Sequence, residues 1–159
     1  MSEVQYVKVN NAIWLGTVGP LIEKYFKKVT ESGVVRGCTY ETLYTYFAQV
    51  VQFGGTQAEF VVAVSDNVPV AFASWRVAPI PHVGTVVLDH IYCSVKEHDV
   101  VLGFITRYIE FADTNNARFL MFDTVNEKVA NIAKRIAEET NITVEDTGSV
   151  KFIGRKKNG

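Results

Sequence analysis

The chain has 159 residues, 48% hydrophobic and 21% charged, the balance of an ordinary soluble domain with a core of its own. A net charge of −1 supplies no field for nucleic acid or an anionic membrane, and the basic run Arg155, Lys156 and Lys157 reads as a solvated end. Cys38 and Cys93 lie outside any CxxC spacing, against a disulfide framework or cysteine-held metal; with no apolar run of about 18 residues and no leader, a cytoplasmic protein is expected.

In chain order, Val4 to Val9 alternates apolar and polar residues and predicts a first strand, ended by Asn10-Asn11. After Gly19-Pro20, residues Leu21, Ile22, Tyr25, Phe26 and Val29 recur at helical spacing until Ser32-Gly33. Thr39 is a predicted N-cap, with Glu41 in the first turn of a helix that runs to Gly54-Gly55. Its face carries Tyr40, Leu43, Tyr44, Phe47, Val50 and Val51. The period then changes: Phe60–Val64, a turn from Ser65 to Pro69 and Val70–Val77 predict an antiparallel hairpin. Ala78 to Gly84 is a loop with two prolines, and Thr85 to Val95 is the longest strand.

Asp99 is the predicted cap of a third helix with Val101, Phe104, Ile105, Tyr108, Ile109 and Ala112 inward. Phe119 to Phe122 is wholly apolar and predicts a strand covered on both faces. Thr124 to Glu127 fits a capping box before a fourth helix with stripe Val129, Ile132, Ala133, Ile136 and Ala137. Ile142–Glu145 and Val150–Arg155 predict a closing hairpin. The order β-α-α-β-β-β-α-β-α-β-β, without repeat or linker, predicts one α/β domain over residues 1–159.

The strand-to-helix junction at Leu88–Tyr108 carries the main functional signal, because free amides and the positive dipole end of a helix attract anions. Its strand, Leu88-Asp89-His90-Ile91-Tyr92-Cys93, and the element order over nearly the whole chain resemble the GNAT superfamily of acyl-CoA-dependent acyltransferases. The resemblance implies a mixed, mostly antiparallel central sheet flanked by four helices. It also implies acetyl-CoA or another acyl-CoA as cofactor, without a metal. The pyrophosphate turn of that superfamily, of form [QR]-x-x-G-x-[GA], falls on His98-Asp99-Val100-Val101-Leu102-Gly103; only Gly103 agrees, while His98, Asp99 and Val101 replace the arginine and two glycines.

The implied cofactor contacts are Cys93 and Val95 at the strand end, His98, Val100, Val101, Leu102 and Gly103 around the helix start, and Asn126 at the fourth helix. Amides of Val100 to Gly103 can serve without glycine, but a carboxylate at Asp99 opposes a phosphate by about 1 to 4 kcal/mol at ~4 Å.

Acyl transfer to an amine needs a base, a donor for the thioester oxygen and an acid for the thiolate. Asp89 sits at the superfamily's acidic position and is the first candidate base; His90 is the second, and strand alternation predicts that only one of the two faces the acceptor. The fourth helix has no aromatic residue between Glu127 and Thr140 to act as the acid, which leaves Tyr92 as a substitute. Tyr40, Tyr44 and Tyr46 could line the acceptor pocket, although aromatic residues at helical spacing usually form core. No Walker loop, nucleophile-elbow serine or HExxH occurs, and His82, His90 and His98 match no short metal motif. The sequence thus predicts a divergent N-acyltransferase acting on a small-molecule or peptide amine, with no nucleic-acid or membrane partner. Its alternative is a non-catalytic module of the same fold that has lost CoA binding, and it leaves a homo-oligomer open.

Overall fold

Five strands and four helices make up the structure, a computed structural model that describes residues 3–31, 38–79, 84–95, 98–122 and 127–140. The sheet runs in the order β1 (Gln5–Lys8), β2 (Ala58–Ser65), β3 (Val68–Val77), β4 (Thr85–Cys93) and β5 (Phe119–Phe122), with β1 to β4 antiparallel and β5 parallel to β4. This is the mixed, mostly antiparallel sheet expected. Strand alternation splits its side chains between two cores. Phe60, Val62, Val64 and Phe72 pack under α1 (Ala12–Glu31) and α2 (Tyr40–Phe53). Val61, Ala63, Ala71, Ala73, Trp75 and Leu88 pack under α3 (His98–Thr114) and α4 (Glu127–Glu139).

Local chemistry sets several boundaries. The β2–β3 connection tightens to Asp66-Asn67, both at positive φ (50° and 61°), a two-residue turn whose twist matches the strands and which Asp and Asn tolerate. Thr39 caps α2 as expected, its Oγ1 accepting from the Thr42 amide at 3.1 Å.

Three expectations change. Helix α1 begins at Ala12 rather than after Pro20, with Asn11 Oδ1 accepting from the Trp14 amide at 2.9 Å; the stripe Leu15, Val18, Leu21 and Ile22 is buried on both sides of Pro20, and that burial outweighs the lost ladder bond. Strand β5 is not covered on both faces: Phe119 and Met121 are 63% and 57% exposed, while Leu120 and Phe122 pack inward. It is an end strand among the described residues, so its outward set lacks the second layer that a central strand would have. Helix α3 starts at His98, which makes Asp99 a first-turn residue rather than the cap; a carboxylate there still favours the positive end. The capping-box residues 124–126 and the closing hairpin at 142–155 lie outside the described residues.

Candidate active site

The centre of the site is a break in strand pairing. Ser74 of β3 pairs with His90 of β4, but the next β3 residue, Trp75, pairs with Leu88. Asp89 is therefore the extra residue of a β-bulge, which bends a strand and re-aims its side chains. The expectation that only one of Asp89 and His90 faces the acceptor side does not hold, because the bulge cancels the alternation and both line one cavity. That cavity, of about 510 Å³, is lined by Tyr25 and Val29 of α1, Cys38, Thr42, Leu43 and Tyr46 of α2 and its approach, Arg76 of β3, and Asp89 and His90.

Two hydrogen-bonded pairs organise its polar side. Arg76 Nε lies 2.9 Å from Asp89 Oδ2, and the Tyr46 hydroxyl donates to the same oxygen at 3.2 Å. Asp89 Oδ1 keeps no partner among the described residues. Tyr25 Oη and His90 Nδ1 share a hydrogen bond of 2.6 Å. The imidazole is wedged among Tyr25, Tyr46 and Phe47, with ring centroids at 5.6, 5.8 and 5.2 Å. Burial lowers the His90 pKa below the ordinary histidine value, with Asp89 opposing the shift and Arg76 adding to it. Burial, reinforced by the Asp89 charge, pushes the Tyr25 phenol up to about 12; Tyr46 reaches about 12 from the same two causes plus its bond to Asp89. Both phenols and a neutral imidazole therefore coexist near pH 7.

Tyr92 lies two residues beyond His90, against Tyr25 and Phe72, outside the cavity lining; burial, then Cys93, raises its phenol. Cys93 ends the strand, its thiol pushed up to about 11 by burial despite Lys28. Of the three tyrosines offered on α2, Tyr46 alone reaches the cavity, while Tyr40 packs against Phe26 and Tyr44. Strand β5 pairs with β4 only from Thr85 to Leu88, so from Asp89 to Cys93 that edge of β4 has no partner strand among the described residues.

The α3 end is differently built. Val100 and Val101 turn their side chains into the core, and Leu102 and Val95 are half-buried. Because the helix starts at His98, the amides of Leu102 and Gly103 lie inside its ladder, and the free donors are those of His98, Asp99 and Val100. Gly103 is held small by the fold itself: a Cβ there would overlap the Tyr6 ring, whose hydroxyl donates to the carbonyls of Val100 at 2.9 Å and Asp99 at 3.3 Å. A shallow cleft of about 240 Å³ beside the helix start is lined by His98, Asp99, Leu102, Ile132, Arg135, Ile136 and Glu139. Asn126 lies outside the described residues, and no metal-holding group of His, Cys, Asp and Glu is gathered among the described ones.

No protein-family model matches the sequence, and no curated protein matches it. Solved structures do match in shape. An aminoglycoside acetyltransferase, AAC(6')-Iy, in complex with a CoA bisubstrate analogue has a TM-score of 0.66 at 16% identity, covering 98% of this chain and 99% of that one. A protein of Clostridium acetobutylicum described as a predicted acetyltransferase and solved with acetyl-CoA gives 0.66 at 11% identity over 95% and 96% of the two chains. The ribosomal-protein-alanine N-acetyltransferase of Brucella melitensis biovar Abortus 2308 gives 0.63 at 17% identity over 96% and 99%. The fold is that of the GNAT acetyltransferases. From β1 to α4 the element order read from the sequence matches the described elements, and at these identities the likeness carries architecture alone.

Sequence reasoning missed Tyr25, Arg76, the α1/α2 wall residues Val29, Cys38, Thr42 and Leu43, and the bulge. Arg76 had a weak signal, a lone cation in an apolar strand, where buried charge demands a partner. Tyr25 was spent on the core stripe of its helix and had none.

Proposed function

We propose that the protein transfers an acyl group from an acyl-CoA to a primary amine bound in the cavity over the β4 bulge. The observation that carries this reading is the convergence of Asp89 and His90 where β4 loses its pairing with β5. The β4 edge from Asp89 to Cys93, unpaired among the described residues, suits an amide-bearing arm such as that of coenzyme A, and the first-turn amides of α3 with His98 and Arg135 suit its phosphates, opposed by Asp99 and Glu139. When bound, an acyl-CoA supplies the activated acyl carbon.

The chain's own residues manage the amine and its proton. Asp89 Oδ1 accepts from the entering ammonium and orients it. Neutral His90 is the base: in the tautomer that carries the ring proton on Nε2, Tyr25 donates to Nδ1, so the amine proton passes to Tyr25 Oη as the phenol proton moves to the imidazole. The Asp89 carboxylate then stabilises the imidazolium, the same attraction that opposes the downward shift of the His90 pKa. Tyr92, kept protonated by burial, is the candidate acid.

A second reading, a GNAT-fold module without CoA, is favoured by the α3 end, where Tyr6 packing alone accounts for Gly103 and Asp99 opposes a phosphate. Calorimetric titration with acetyl-CoA separates the two. The transfer reading expects saturable heat at millimolar ligand or below; an intact fold giving no heat would leave the second reading standing.

A further inference from the structure

The acceptor cavity has a chemical bias beyond its capacity to hold an amine. Among the described residues Asp89 is its single lining carboxylate and already carries Arg76 at 2.9 Å, so the formal charge of the described lining sums to zero. Its hydroxyls already have partners within the protein: Tyr25 is bonded to His90, Tyr46 donates to Asp89, and Thr42 Oγ1 lies 2.9 Å from Thr39 Oγ1. What the described lining mainly offers an occupant is the faces of Tyr25 and Tyr46 and the side chains of Val29, Cys38 and Leu43, with Asp89 Oδ1 at one end and the Tyr25 hydroxyl oxygen as the acceptor of the amine proton.

Resting on the transfer reading, we infer that the acceptor is a small monoamine with an aromatic or apolar body. One ammonium meets Asp89 Oδ1. A second would sit near the Arg76 guanidinium with no carboxylate of its own among the described residues, and a sugar or peptide would bring more polar groups than this mostly apolar lining can pair. Aromatic rings against tyrosine faces add attraction beyond area burial. The volume, about 510 Å³, suits a compact ligand. Arg76 and the apolar walls also favour loss of the ammonium proton, the state needed for attack.

Direct titration of the protein, without CoA, with phenethylamine, spermidine, kanamycin and the peptide amide Ala-Leu-Ala tests this. Phenethylamine is expected to bind at least about tenfold more tightly than the other three. In Thr42→Asp, an exposed helix position that gains a second cavity carboxylate, the gap to spermidine should close or reverse. Equal or tighter wild-type binding of spermidine, kanamycin or the peptide, or no binding of phenethylamine at millimolar concentration, would overturn the inference. Thiol release from acetyl-CoA with each amine separates the two claims. The expected binding order without thiol release defeats the transfer reading alone, whereas release that is best with spermidine defeats the inference alone.

Discussion

The middle of β4 and the start of α3 were built to different standards. At the bulge, Asp89, His90, Arg76, Tyr25 and Tyr46 form paired, half-buried contacts around one cavity. At the start of α3, beyond the end of β4, the backbone geometry of an anion site survives but the side chains are split in charge, and the retained glycine answers to Tyr6. Backbone amides come with any helix end, so geometry alone is weak evidence for a ligand. A hydrogen-bonded set of charged and titratable groups in a cavity costs desolvation, and such a set is stronger evidence for chemistry.

The largest expected effect tests the structural account of Gly103. Gly103→Ala should lower stability by about 3 kcal/mol in urea unfolding, since a Cβ meets the Tyr6 ring, which is held by its bond to the Val100 carbonyl and its packing on Phe104, and Tyr6→Ala should recover most of that difference in a double-mutant cycle. An unchanged midpoint would return Gly103 to a cofactor role. Next, Arg76→Ala leaves the Asp89 carboxylate, whose side chain is 16% exposed, without its cation; a loss of about 2 kcal/mol is expected, and adding Asp89→Asn should relieve part of it. At the other end, Asp99→Asn should tighten acetyl-CoA about fivefold, roughly 1 kcal/mol, with little change in stability. No tightening would place the phosphates elsewhere.

The smallest effect is a pH slope. His90 has a folded pKa below its unfolded value, so the unfolded chain binds more protons in the window just beneath the ordinary histidine value near 6.5. Stability should rise with pH through that window and level off above it, and His90→Phe should remove that part of the rise. A slope of the opposite sign would mean that the imidazole is charged in the fold.

How much of this was legible in the sequence follows from the range of each signal. Helix and strand identities came from local periodicity, which is why the order of elements and the candidates Asp89 and His90 could be read. Pro20 misled because its local cost is certain, whereas the burial of Leu15 and Val18 that offsets it is a tertiary fact. The bulge is a property of pairing between β3 and β4, and alternation along β4 carries no trace of it. Tyr25 and Arg76 meet His90 and Asp89 from distant elements, and Tyr6 reaches Gly103 from the first strand; only the register brings them together.

The central claim is that the bulge makes one acyl-transfer centre of Asp89, His90 and Tyr25. Thiol release from acetyl-CoA with phenethylamine, wild type against His90→Gln of verified fold, tests it most directly. Release that falls about 100-fold or more in the variant, with acetyl-CoA binding retained, is the predicted result. Equal release by the two proteins would contradict it.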